Sequence, residues 1–138
     1  MRRSIMGLLL VALTTLALPT YALSIWHSNT YWAGQGQCSA VFTFDSGLEE
    51  IKSLEVKVSA VNKQNEMINL GTMQLDTFGG SSAERYANAF IESEDVCDDE
   101  LTIFIDEASA IINGEYYDLV QMRKLQIRKF KPFELNIY

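Results

Sequence analysis

From position 38 onward, apolar side chains recur at every second residue in one short segment after another, and this period most constrains the fold. In 38–44, Cys38, Ala40, Phe42 and Phe44 share one face, and Ser39, Val41 and Thr43 share the other. Leu54, Val56, Val58 and Ala60 alternate with Glu55, Lys57 and Ser59. Leu101, Ile103 and Ile105 alternate with Thr102 and Phe104, and Leu125 and Ile127 with Lys124, Gln126 and Arg128. Phe133, Leu135 and Ile137 repeat the pattern after Pro132. A strand sends successive side chains to opposite faces, so each segment reads as a half-buried strand. Turn signals separate them at Asp45-Ser46-Gly47, at 62–65 and at Asn113-Gly114, the last a strong hairpin signal. Between Leu70 and Met73 the apolar parity slips by one at Gly71-Thr72, which predicts a β-bulge.

Two stretches lack this clarity. Segment 81–92 has capping-box spacing at Ser81 and Glu84, and a helical stripe at Ala83, Ala87, Phe90 and Ile91. It also fits an edge strand with Tyr86, Asn88 and Phe90 on one face, and the all-β surroundings favour the strand. Residues 23–37 carry Trp26, Tyr31 and Trp32 among polar residues, and end in Gly34-Gln35-Gly36. About seven short strands with few helices predict an all-β sandwich of fibronectin type III or immunoglobulin kind. Spacing alone does not separate that from a small barrel. No tryptophan lies between the two cysteines, which departs from the immunoglobulin pattern.

The start reads as a secretory leader over residues 1–22. Arg2 and Arg3 precede a charge-free apolar run over 5–18, Pro19 ends it, and Thr20-Tyr21-Ala22 suits cleavage after Ala22. The alternative is an uncleaved anchor, but the run is shorter than the ~20 residues a spanning helix needs. The first cysteine is Cys38, so a lipid anchor next to the leader is not expected. One domain, 23–138, remains, with no further membrane span. Its compartment is the periplasm or the exterior. There Cys38 and Cys97 default to a disulfide, with free thiols or an intermolecular pair as alternatives.

Removing Arg2 and Arg3 takes Lys plus Arg from 11 to nine against 18 Asp plus Glu, and the charge from −7 to −9. That balance argues against nucleic acid and anionic lipid, and would steer a basic protein partner toward the chain. The only histidine is His27, so no triad or histidine metal site is available, and it reads as an exposed loop side chain. Glu92, Glu94, Asp95, Asp98, Asp99 and Glu100 form an acidic loop without the spacing of a calcium loop, read as solvated. No catalytic residues, metal or cofactor are expected. A small hydrolase or lectin built on the acidic loop is the weakest alternative.

Aromatics are the remaining lead. Trp26, Tyr31 and Trp32 lie in the polar N-terminal segment, and Tyr116 and Tyr117 follow the Asn-Gly turn. Tyr and Trp dominate interface energies, so these five are the candidate binding residues. Phe104 has outward parity, which fits either a second packed surface or a place under a loop.

The mature chain resembles the interleukin receptor mimic protein A family. The residues that prompt this are Cys38 to Phe44 with Asp45-Ser46-Gly47 after them, Ala87-Asn88-Ala89-Phe90-Ile91-Glu92 leading to Cys97, and Asn113-Gly114-Glu115-Tyr116-Tyr117-Asp118. The resemblance implies a secreted fibronectin type III-like domain that imitates cytokine-receptor ectodomains, forms a homodimer, can do so by domain swapping, and binds host interleukins or their receptors. It implies no particular binding residues. A structural or assembly accessory of the bacterial envelope is the alternative, and calls for an open sheet edge able to accept a strand.

Overall fold

Alternating segments of this kind must pair and bury their apolar faces against one another. A computed structural model of the 138-residue chain describes residues 21–128 and 134–137. The expected leader lies outside them except for Tyr21 and Ala22, as does Phe133. The strands are β1 (Leu23–Gly34), β2 (Gln37–Asp45), β3 (Ile51–Val61), β4 (Met67–Phe78), β5 (Tyr86–Ser93), β6 (Thr102–Ile112), β7 (Glu115–Asp118), β8 (Leu125–Ile127) and β9 (Glu134–Ile137). One sheet runs β5-β2-β1-β8 and the other β4-β3-β6-β7, with β9 also on β6. The first seven strands thus place three on four, the expected sandwich. The two additions are short and parallel, β8 on β1 and β9 on β6.

The core sits between the sheets, where the two sets of inward side chains meet. Ile25, Phe42 and Phe44 from the first sheet face Leu54, Val56, Val58, Ile103 and Ile105 from the second, all fully buried. Each such side chain contributes roughly 1.5–3 kcal/mol by leaving water. Asn113 and Gly114 both take positive φ, 50° and 83°, and close the β6–β7 hairpin with Ile112 opposite Glu115. This is the geometry that an Asn-Gly pair favours. The predicted bulge is present: Val58 faces Gly71 and Ser59 faces Asn69, leaving Leu70 as the extra residue.

Segment 81–92 divides. A single 3₁₀ turn, Ser82–Glu84, precedes β5, and Ser81 makes no side-chain capping bond. The strand expectation holds from Tyr86 onward, because Ala87, Ala89 and Ile91 can turn inward only at period two.

His27 corrects an expectation. It is not an exposed loop side chain but sits inside β1 at 3% exposure. Its ring lies 5.6 Å from that of Phe42, and Nε2 meets the Thr30 hydroxyl at 2.8 Å. It shares the inward parity of Leu23 and Ile25, opposite Phe42, and a bulge between His27 and Asn29 then shifts that parity to 30. That shift is also why 23–37 showed no clean period.

Cys38 and Cys97 form the disulfide, with Cα atoms 5.1 Å apart and a separation of 59 positions in sequence. The bond pins the 3₁₀ turn Asp95–Cys97, where the chain crosses from β5 to β6, onto the start of β2. It therefore clamps the crossover rather than stapling sheet to sheet through the core. Phe104 is half-buried, with Ser59 of β3 on one side and Asn136 of β9 on the other. No helix among the described residues is long and apolar enough to cross a membrane.

Candidate protein-binding face

The outward residues of the two sheets differ in kind. On the second sheet, Lys52, Glu55 and Lys57 of β3 point away from the core beside Gln74 of β4 and Glu107 of β6. Charges of both signs interleave there, as on an ordinary wet surface. On the first sheet the register stacks Trp26, Thr43 and Asn88 in one row; Asn29, Val41 and Phe90 in the next; and Tyr31, Ser39 and Glu92 beyond. Phe90 is 62% exposed, and Tyr31 and Tyr86 are more than half exposed. Aromatic residues with few charges among them are what the centre of a protein interface contains.

A cation–aromatic cluster closes one end of this face. Asp45, at the end of β2, is 2% exposed. Arg85 grips it with two hydrogen bonds, Nε to Oδ1 at 2.7 Å and Nη2 to Oδ2 at 3.0 Å. The Gly47 amide donates to Oδ1 at 2.9 Å, and Arg128 Nη1 stands 3.4 Å from Oδ2. The bond from Arg85 holds the Asp45 carboxyl below its usual 3.8 against the opposing effect of burial, with help from the Gly47 amide and the charges of Arg85 and Arg128. The Arg85 guanidinium lies 5.2 Å over the Tyr86 ring and that of Arg128 lies 5.4 Å over Trp26. Trp26 and Tyr86 meet edge to face at 6.2 Å. Two flat cations are thus fixed by one buried carboxylate and two rings.

The five aromatics expected to bind do not form one patch. Trp26 and Tyr31 lie on this face, with Trp26 half-buried in the cluster. Trp32 is exposed, but its parity is that of Cys38, which places it at the rim by the β1–β2 turn. Tyr116 and Tyr117 are on β7 in the other sheet. Tyr116 is exposed, whereas Tyr117 packs on the core and donates its hydroxyl to Glu115 at 3.0 Å. That carboxylate pushes the Tyr117 phenol up from its usual value. The residues missed as contacts are Tyr86, Phe90, Arg85 and Arg128. The first two carried a signal, the Tyr86, Asn88, Phe90 parity. Asp45 and Arg85 are 40 residues apart, and nothing local announces their pairing.

Several acids elsewhere are held by their own chain. In the acidic loop Glu100 pairs with Lys63 at 2.6 Å, which raises the Lys63 ammonium's pKa. A cavity of about 260 Å³ beside β6 and β7 is lined by Asp106, Glu107 and Asp118. There Asp106 accepts from the Ser59 hydroxyl and Asp118 from the Gln121 amide. Among the described residues no group of three or more His, Cys, Asp and Glu could hold a metal ion.

Residues 23–126 match the model of a family described as interleukin receptor mimic protein A. The solved structure of IrmA from Escherichia coli is similar, with a TM-score of 0.64 at 25% sequence identity. The likeness covers 83% of this chain and 97% of that one. No match is found among curated proteins.

Proposed function

Because the chain belongs to the interleukin receptor mimic protein A family, we propose that it is a secreted, non-enzymatic binding protein that engages host interleukins or their receptors through the outer face of the first sheet. The observation that carries the reading is the contrast between the two outer faces. One alternates charges; the other presents Tyr31, Phe90 and Tyr86 around a nearly charge-free centre. Residue types of that kind supply most interface binding energy, and an exposed apolar strip has a solubility cost unless something covers it. Export by a leader cleaved after Ala22 and assembly as a domain-swapped homodimer belong to the same reading.

Capture of interleukins and receptor ectodomains by the immobilised, folded protein tests it. Capture of at least one, weakened more than tenfold by Phe90→Ala or Tyr31→Ala, is the expected result. A blank panel, or capture indifferent to both substitutions, rejects it. Light scattering at twice the chain mass is expected for the dimer.

One observation favours a second reading, a strand acceptor in envelope assembly. Among the described residues β5 has a ladder with β2 alone, so its other edge, which lies near β4, carries no strand pairing. Such an edge accepts an added strand through its backbone groups. Protection of β5 amides from hydrogen exchange by an extended peptide, but not by any interleukin or receptor, would favour this reading over the first.

A further inference from the structure

The Arg85–Arg128 pair carries more positive charge than its own chain uses. Asp45 neutralises one guanidinium; two converge on it. The Arg85 side chain is 37% exposed and that of Arg128 35%, and their only ion pairs among the described residues are with Asp45. Arg85 spends Nε and Nη2 on the carboxylate and makes no bond to it through Nη1. A cavity of about 320 Å³ is lined by Arg85 and Arg128 with Ser24, Asp45, Gly47 and Gln126; Tyr21 and Ala22, which also line it, belong to the expected leader, and their removal opens it further. Both guanidiniums are already immobilised by Asp45, Trp26 and Tyr86, so a ligand would not have to order them.

We propose that this cavity receives the carboxylate of an Asp or Glu side chain from the partner protein. The inference rests on the reading of this face as the contact surface and adds the chemistry at its end. A guanidinium fork matches a carboxylate's geometry. The net charge, −7 for the whole chain and −9 without Arg2 and Arg3, decides between a single carboxylate and a polyanion. Repulsion of nucleic acid or an anionic membrane sums over many charges on both sides. One carboxylate brought in by a docked protein feels mainly the local pair, because distant charges are screened beyond about 10 Å at 0.1 M salt. The neighbouring rings of Trp26 and Tyr86 complete a setting typical of an interface hot spot, where Trp, Tyr and Arg recur together.

The test is a nuclear magnetic resonance titration of the full folded protein with a blocked tripeptide carrying one glutamate between two alanines. Expected are saturable shifts at the Arg85 and Arg128 Nε–H and Trp26 Nε1–H signals, with a dissociation constant on the order of 1 mM for so small a probe. The glutamine version of the peptide should give none. Arg128→Gln, which leaves the Arg85–Asp45 bonds in place and so keeps the fold, should weaken binding at least tenfold. Arg128→Lys should restore only part of it, since the charge returns without the fork. No saturable shift, equal shifts in Arg128→Gln, or tighter saturation by inorganic phosphate than by the peptide would overturn the proposal. The contact-face reading is scored separately by Phe90→Ala and Tyr31→Ala in partner capture, so either can fail alone.

Discussion

Asp45 and Arg85 differ in burial, and that difference predicts unequal effects of removing each. Asp45→Asn takes the charge from a nearly inaccessible site. It leaves Arg85 and Arg128, each about a third exposed, free to turn toward water. Charge-assisted hydrogen bonds contribute roughly 1.5–3 kcal/mol net, and solvent screening of the arginines lowers this to about 1–2 kcal/mol. Arg85→Gln does the opposite. It strands a carboxylate that is 2% exposed with only the Gly47 amide and Arg128 at 3.4 Å. The expected loss is about 2–3 kcal/mol, below the range for a fully buried pair because the arginine side is screened by solvent. The double substitution should cost about 2 kcal/mol, well short of the sum, because neither partner is then stranded. Urea unfolding at pH 7 with the disulfide intact measures all three. Acid supplies a second axis. Asp45 is depressed in the folded state, so its stabilisation is present above the unfolded value of 3.8 and is lost as pH falls through the lower folded value. The gap between the parent protein and Asp45→Asn should therefore close below pH 3.8. Three results refute the reasoning: Asp45→Asn costing more than Arg85→Gln, strict additivity, or a gap that does not narrow as pH falls below 3.8.

Other expectations follow from the same geometry. Replacing Cys38 and Cys97 by serine should cost about 4 kcal/mol, the loop-entropy value for some 60 closed residues; reductant should shift the parent's urea midpoint likewise, and an unchanged midpoint would contradict a structural bond. Gly79 has φ +102°, and a Cβ there would collide with the Glu49 carbonyl and the Ser46 side chain. Gly79→Ala should lose about 2–4 kcal/mol, whereas Gly36→Ala, with φ +77° and open space around it, should lose about 1 kcal/mol; equal losses would show that the collision is relieved. Phe90→Ala should leave the urea midpoint nearly unchanged, within about 0.5 kcal/mol, since the ring is outward and exposed; a larger loss would make Phe90 a packing residue. Amino-terminal sequencing of exported protein should begin at Leu23, and a start elsewhere displaces the cleavage reading.

Period-two alternation made β2, β8, the 54–60 part of β3 and the 102–105 part of β6 readable, because one parity there is uniformly apolar; irregularities after Lys52 and at Asp106 flip the inward parity in the rest of β3 and β6. β4 stayed readable through its bulge because Gly71 marked the slip. β1 did not, because no glycine marks the bulge after His27 and the inward set there includes His27 and Thr30. For the same reason a buried histidine looked like a loop residue. The candidate face was half legible: Trp26 and Tyr31 stood out as aromatics in polar sequence. The Tyr86–Phe90 parity was visible but competed with a helical stripe. The Asp45–Arg85–Arg128 cluster was not legible, since it is assembled by the pairing of β2 with β5 and of β1 with β8. Spacing in sequence carries no trace of such pairings.

An open edge strand bearing outward Tyr86 and Phe90 is a hazard as well as a surface. Unpaired backbone groups beside exposed aromatics invite pairing with other chains. The acidic residues flanking β5 oppose it: Glu84 before the strand, Glu92 within it and Glu94 after it. With Arg85 and Arg128 at the Tyr86 end and Glu92 and Glu94 at the other, a second copy approaching edge to edge in the parallel sense meets like charge at each end, while the middle of the strand stays neutral. A strand meant only to be hidden would have charge at its centre as well. Here Asn88 and Phe90 occupy that centre, in register with Thr43 and Val41, and the Thr43 hydroxyl donates to Asn88 at 2.8 Å. Charge is kept to the margins and aromatic area to the middle, an arrangement that blunts self-association yet leaves the face available to a partner whose own charges match the rim.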